Sequence, residues 1–96
     1  MRFSWDITKE RANKHKHRVS FTEACYVFAD KSLLTIFDQD HSDDEDRWIT
    51  IGMVEDGRVL VVVHTYHKIG KEESVRIISA RKASRKEAET YYARRL

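Results

Sequence analysis

Glu55-Asp56-Gly57-Arg58-Val59-Leu60-Val61-Val62-Val63-His64-Thr65-Tyr66 is the stretch on which the fold turns. Asp56-Gly57 accepts the positive φ angles of a tight hairpin turn, so the runs on either side, Arg47–Val54 and Arg58–Tyr66, read as antiparallel neighbours. Val59 to Val63 is apolar on both faces, which places that strand in the middle of a sheet with material packed above and below it. A looser turn signal at Ile69-Gly70-Lys71-Glu72 returns the chain as a further strand, Ser74–Arg81, and Leu33–Asp38 supplies another. The expected core is a four-stranded antiparallel sheet.

Helices flank it. Met1 to Trp5 alternates as a short strand, and Asp6 then caps a lysine-rich helix over Ile7–His17. Ser20 and Glu23 have capping-box spacing for a second helix, Phe21–Phe28, expected to bury Phe21, Ala24, Cys25 and Phe28. Ser84 and Glu87 repeat the box before a C-terminal helix through Arg95, whose apolar stripe is thin: Ala83, Ala88, Tyr91 and Tyr92. The class is α+β: a short N-terminal strand, two helices, a four-stranded antiparallel sheet and a C-terminal helix.

The chain has 96 residues, 35% charged, with no proline and one cysteine. That length supports one compact domain, residues 1–96, and excludes a second. A lone Cys25 excludes an internal disulfide and a thiolate-rich metal cage, and its place on a buried stripe suits a small hydrophobe. The longest apolar run is far below the roughly 20 residues that span a bilayer, and no signal-peptide pattern opens the chain, so a cytoplasmic protein without membrane contact is expected. Residues 1–30, 31–60 and 61–96 carry +2, −5 and +5. Basic ends around an acidic middle suit a surface that meets phosphates.

Five histidines raise a metal hypothesis, but His15 with His17 and His64 with His67 diverge at their spacings, and no zinc pattern results. Asp38 to Asp46 is an acidic loop lacking the glycine and the spaced glutamate of a calcium loop, and it reads as solvated. No cofactor is expected. A more promising set is Arg76 and Arg81, with Lys82, Arg85 and Lys86 at the strand-to-helix junction and His64 on the neighbouring strand. Arg76 and Arg81 differ by five positions, so a regular strand turns them to opposite faces. They share a site only if Arg81 lies beyond the strand or a bulge re-aims it. Otherwise they pair with acidic groups and serve the fold.

Phe3-Ser4-Trp5-Asp6, Asn13 with Lys16-His17, Val19-Ser20-Phe21-Thr22-Glu23-Ala24, Asp44-Glu45-Asp46-Arg47-Trp48 with Ile51-Gly52, His64-Thr65 and Arg76-Ile77-Ile78-Ser79-Ala80-Arg81 resemble, in that order, the BrnT toxins. The resemblance spans essentially the whole chain. One departure is Arg18, which stands where the family carries a glycine suited to a left-handed helix C-cap.

The resemblance implies a RelE-like fold and a ribonuclease toxin of a type II toxin–antitoxin pair that arrests translation. It also implies a BrnA-like ribbon-helix-helix antitoxin, a toxin–antitoxin heterotetramer, and contact with operator DNA only through the antitoxin. The chemistry implied is metal-independent: a base takes the 2′-OH proton of RNA, a cation stabilises the attacked phosphate and an acid protonates the leaving oxygen. The candidate catalytic residues are Arg76 and Arg81 for the phosphate, His64 as acid or base with Glu45 and Lys16 as alternatives, and Tyr91 to orient substrate. Lys82, Arg85 and Lys86 are the candidate RNA contacts. The rival class is a binding module of the same fold that does not cleave RNA.

Overall fold

The structure, a computed structural model, describes residues 1–95. In chain order it contains β1 (Arg2–Ser4), α1 (Ile7–His17), α2 (Phe21–Ala24), β2 (Leu34–Phe37), β3 (Trp48–Met53), β4 (Val59–Ile69), β5 (Glu72–Lys82) and α3 (Arg85–Arg95). β4 is central, as its two-sided apolar run requires, in a sheet ordered β1-β5-β4-β3-β2. The four-stranded, wholly antiparallel, RelE-like sheet expected above is corrected here: the sheet has five strands and is mixed. β1 lies parallel to β5, with Arg2 opposite Ser74, Phe3 opposite Val75 and Ser4 opposite Arg76. This pairing seats Phe3 against Phe28, ring centroids 5.3 Å apart, at the margin of the core.

β1 covers only the first part of the β5 edge. Beyond it, Asn13 of α1 takes the place of a strand: Ala80 N–H donates to its Oδ1 (3.1 Å), and its Nδ2 donates to the carbonyls of Ala80 (2.8 Å) and Val19 (3.0 Å). An exposed sheet edge invites pairing with other chains, and one buried asparagine closes this one while fastening a helix that has almost no apolar face.

The sheet is covered on both faces. On one, Leu60, Val62, Val75, Ile77 and Ala80 pack with Val19, Phe21, Ala24 and Val27. On the other, α3 lays Tyr91 over Ile51, Val59 and Val61. The second helix is shorter than its sequence suggests. After Ala24 it tightens into a 3-10 turn, Cys25–Ala29, so the buried positions become Phe21, Ala24 and Val27, spaced by three, while Cys25 and Phe28 are half-buried. The turn lies so close to β3 that a Cβ on Gly52 would stand 3.0 Å from both Cβ and O of Val27. Glycine is needed there for that approach.

α1 ends at Arg18, whose φ of 60° is left-handed and whose N–H donates to the Lys14 carbonyl at 2.9 Å. The turn keeps the geometry that suits glycine, and a side chain there costs about 1 kcal/mol. Arg18→Gly is therefore expected to stabilise the protein by ~1 kcal/mol, raising Tm by roughly 4–8 °C for a domain of this size. A thermal melt that shows no rise contradicts the strained cap.

Candidate active site

The site depends on one irregularity. Along β4 and β5, Val63 pairs with Ser79 and the next residue, His64, pairs with Ile77, leaving Ile78 as an unpaired bulge. One inserted residue reverses the alternation on its strand. Arg81 opposite Val61, Ser79 opposite Val63 and Arg76 opposite Thr65 consequently lie on the same face, and the obstacle posed by their five-residue separation is removed. This is the α3 face, on the part of the sheet that α3 leaves open.

The open part is the floor of a cleft of about 430 Å³, formed by Ile49, Val63, Ser79 and Arg81 and walled by Asp38, Asp40, His41 and Arg47. The wall is the acidic loop. Read from sequence as solvated, it is in fact pinned: Asp38 N–H donates to the Arg47 carbonyl (2.9 Å), Arg47 N–H donates to Ser42 Oγ (3.0 Å), and Ser42 Oγ donates to the Asp38 carbonyl. Its acidic side chains are thereby held beside the arginines of the sheet.

Both arginines have carboxylate partners. Arg81 donates in parallel to the two oxygens of Glu87, at 2.7 and 2.9 Å, and Arg76 donates to Glu45 at 2.6 Å. Glu87 also closes the capping box of α3, accepting from Ser84 N–H at 2.7 Å, so one carboxylate ties the helix start to the end of β5. The Arg81 guanidinium above all, with the Ser84 amide and hydroxyl, pulls the Glu87 carboxyl down to about 2.

The other sequence candidates fall elsewhere. His64 is corrected as an acid or base open to substrate: β4 runs on to Ile69, so His64 is interior to the strand and fully buried on the helix-side face. Its ring packs against Phe28 and Tyr66, both at 4.9 Å, and its Nε2 shares a 2.7 Å hydrogen bond with Thr50 Oγ1, which continues to Thr35 Oγ1 at 2.8 Å. Burial pushes its pKa down to about 4 and keeps it neutral. Tyr91 is likewise corrected as a substrate-orienting group. It is fully buried, its hydroxyl donates to Asp30, and burial with that carboxylate pushes it up to about 12. Lys16 is exposed on α1, the helix beside the β5 edge, and is not one of the residues that form the cleft. Lys82, Arg85 and Lys86 are exposed around the β5–α3 junction beside Arg81, with Arg85 paired to Glu89 at 3.3 Å. Asp38, His41, Arg47 and Ser79 were not singled out from sequence. The register that sets Phe37 opposite Trp48, placing Asp38 and Arg47 at facing strand ends, is the signal that reveals the first and third.

Arg81 in the floor and Arg47 in the wall, set among the carboxylates of Asp38 and Asp40, are the cations the cleft can offer a phosphodiester. A family model described as "Ribonuclease toxin, BrnT, of type II toxin-antitoxin system" matches residues 5–87. The solved crystal structure of the Brucella abortus ribonuclease toxin, BrnT, is similar in fold, with a TM-score of 0.60 and 23% identity, covering 88% of this chain and 99% of that chain. No curated protein matches. The chain belongs to the BrnT family, the ribonuclease toxins of type II toxin–antitoxin systems. Membership implies an RNA target and an antitoxin partner.

The burial of His64 has a measurable consequence. Because the folded protein resists protonating this ring while the unfolded chain takes a proton near pH 6.5, stability should fall as pH drops from 6.5 to 4, by up to about 3 kcal/mol. The carboxylates held low, Glu87 foremost, weaken folding in a lower window, from about 4.5 toward 2. Denaturant melts of His64→Gln should lose the upper slope and keep the lower one. An unchanged slope between pH 6.5 and 4 contradicts a buried neutral histidine.

Proposed function

We propose that this protein is a metal-independent endoribonuclease that cleaves RNA by attack of a ribose 2′-OH on the adjacent phosphate, and that it inhibits translation by doing so. The observation that carries the reading is the bulge at Ile78, which gathers Arg76 and Arg81 on the open face with Arg47 at its wall. Guanidinium groups suit this work, because they present paired N–H donors to phosphate oxygens and stay charged as the phosphate gains negative charge. A bidentate carboxylate occupies two of the five N–H donors of an arginine. Glu87 with the Lys82 carbonyl engages three donors of Arg81, and Glu45 engages one of Arg76, so both guanidiniums are held in place with donors left for substrate, and Glu45 acts as a positioning residue. Lys82, Arg85 and Lys86 extend the positive surface past Arg81 along the RNA backbone.

The antitoxin in this reading is a BrnA-like ribbon-helix-helix protein that forms a heterotetramer with the toxin and carries the operator-DNA contacts. Family membership supports it. One observation favours the rival, a binding module without catalysis: both arginines already have carboxylate partners.

Cleavage assays separate the two. Protein freed of antitoxin should cut RNA in EDTA. Arg81→Ala should slow cleavage by about 10²–10³, the usual loss when one donor to a transition-state oxyanion is removed. Glu87→Gln should lower Tm and slow cleavage by less than Arg81→Ala does, since the guanidinium remains but is held less firmly. Activity that disappears with EDTA and returns with magnesium contradicts the mechanism, and a folded Arg81→Ala protein with unchanged activity removes Arg81 from the site.

A further inference from the structure

The cleft wall contains an imidazole held by a carboxylate. Asp38 ends the β2 side of the loop, and His41 follows three residues later in the 3-10 turn Gln39–His41, where residues three apart lie one above the other. His41 Nδ1 is 3.1 Å from each oxygen of the Asp38 carboxylate. The two partners differ sharply in exposure. The Asp38 side chain is 10% exposed and that of His41 68%. An ordinary surface ion pair exposes both members and is worth little. Here the carboxylate is sunk into the loop, and among the described residues the imidazole is the one side-chain donor that reaches it.

A carboxylate can only accept, so Nδ1 is the nitrogen that donates to Asp38, and Nε2 is the nitrogen left to meet substrate on a ring that lines the cleft with Arg47, Ser79 and Arg81. A neutral histidine with one nitrogen fixed by a carboxylate and the other free is the form a proton acceptor needs.

We propose that His41 is the catalytic general base of this site and that Asp38 positions it. The inference rests on the ribonuclease reading above. Nε2 takes the proton of the 2′-OH, the O2′–P bond forms and the P–O5′ bond breaks. The departing 5′-oxygen takes a proton from water, and the resulting hydroxide is neutralised by the proton on His41. The products are a 2′,3′-cyclic phosphate and a 5′-hydroxyl end. Arg81 and Arg47, which line the same cleft, stabilise the charge that builds on the non-bridging phosphate oxygens.

The test uses the full chain freed of antitoxin, with a short RNA carrying one cleavable linkage, assayed in EDTA. His41→Ala should lower kcat by about 10²–10⁴ with KM within a few-fold, and added imidazole should restore part of the rate. Asp38→Asn should lower kcat without recovery on adding imidazole, since the ring is still present in the wrong orientation. His41→Gln serves as a second variant, and circular dichroism confirms folding of each. A folded His41→Ala or His41→Gln protein that cleaves at the wild-type rate overturns the proposal, as does an imidazole-insensitive His41→Ala defect. If the wild-type chain itself cuts no RNA, it is the ribonuclease reading that fails, a result distinct from loss confined to the His41 variants.

Discussion

One unpaired residue, Ile78, sets the relation between core and cleft. Val75 and Ile77 on one side of the bulge and Ala80 on the other all face the helix-side core. In a regular strand the alternation that buries Val75 and Ile77 would send Ala80 outward and bury Ser79 and Arg81. The insertion lets β5 keep a continuous apolar face against Leu60 and Val62 while Arg76, Ser79 and Arg81 remain together on the other. Fold and site are thus answers to the same register.

The groups of the cleft are held by contacts that also hold the fold. Glu87 caps α3 and grips Arg81; Ser42 ties both ends of the acidic loop; Glu45 reaches across to Arg76. Charged groups fixed before substrate arrives need little rearrangement during reaction, which is the condition under which they stabilise a developing charge most effectively. The same contacts prevent these residues from dividing cleanly into structural and functional sets. Arg81 is both the anchor of a helix and the best-placed cation of the cleft.

Much of the architecture was legible because local signals agreed. The Asp56-Gly57 turn, the two capping boxes and the apolar run at Val59–Val63 each correspond to an element of the structure. The errors have identifiable causes. The Ile77-Ile78 doublet is apolar at both positions, so composition does not reveal which residue is the insertion. The polar end of β4, Tyr66 to Lys68, belongs to a hairpin that projects past the start of β3, and this made His64 look terminal when it is interior. The thin stripe of α3 concealed how deeply Tyr91 is buried, because its polar partner, Asp30, lies 61 residues away. Asn13 carried no periodic signal for its role, since closing a sheet edge takes one side chain. The acidic loop looked solvated because nothing local shows that Ser42 fastens it. The family resemblance supplied what spacing left open about function; it did not show that the N-terminal strand, legible from its alternation, joins the sheet parallel to β5.

The central claim is that RNA lies in the cleft between the acidic loop and β5, on the face the bulge creates. Titration of isotopically labelled, antitoxin-free protein with a non-cleavable 2′-deoxy oligonucleotide, followed by backbone amide NMR, tests it most directly. The account expects the largest shifts at Asp38–His41, Arg47–Ile49, Val63 and Ser79–Lys82, weakening as salt is raised. Shifts centred on α1 and the face formed by Trp5, Phe21 and Phe28, with the cleft residues silent, would contradict it.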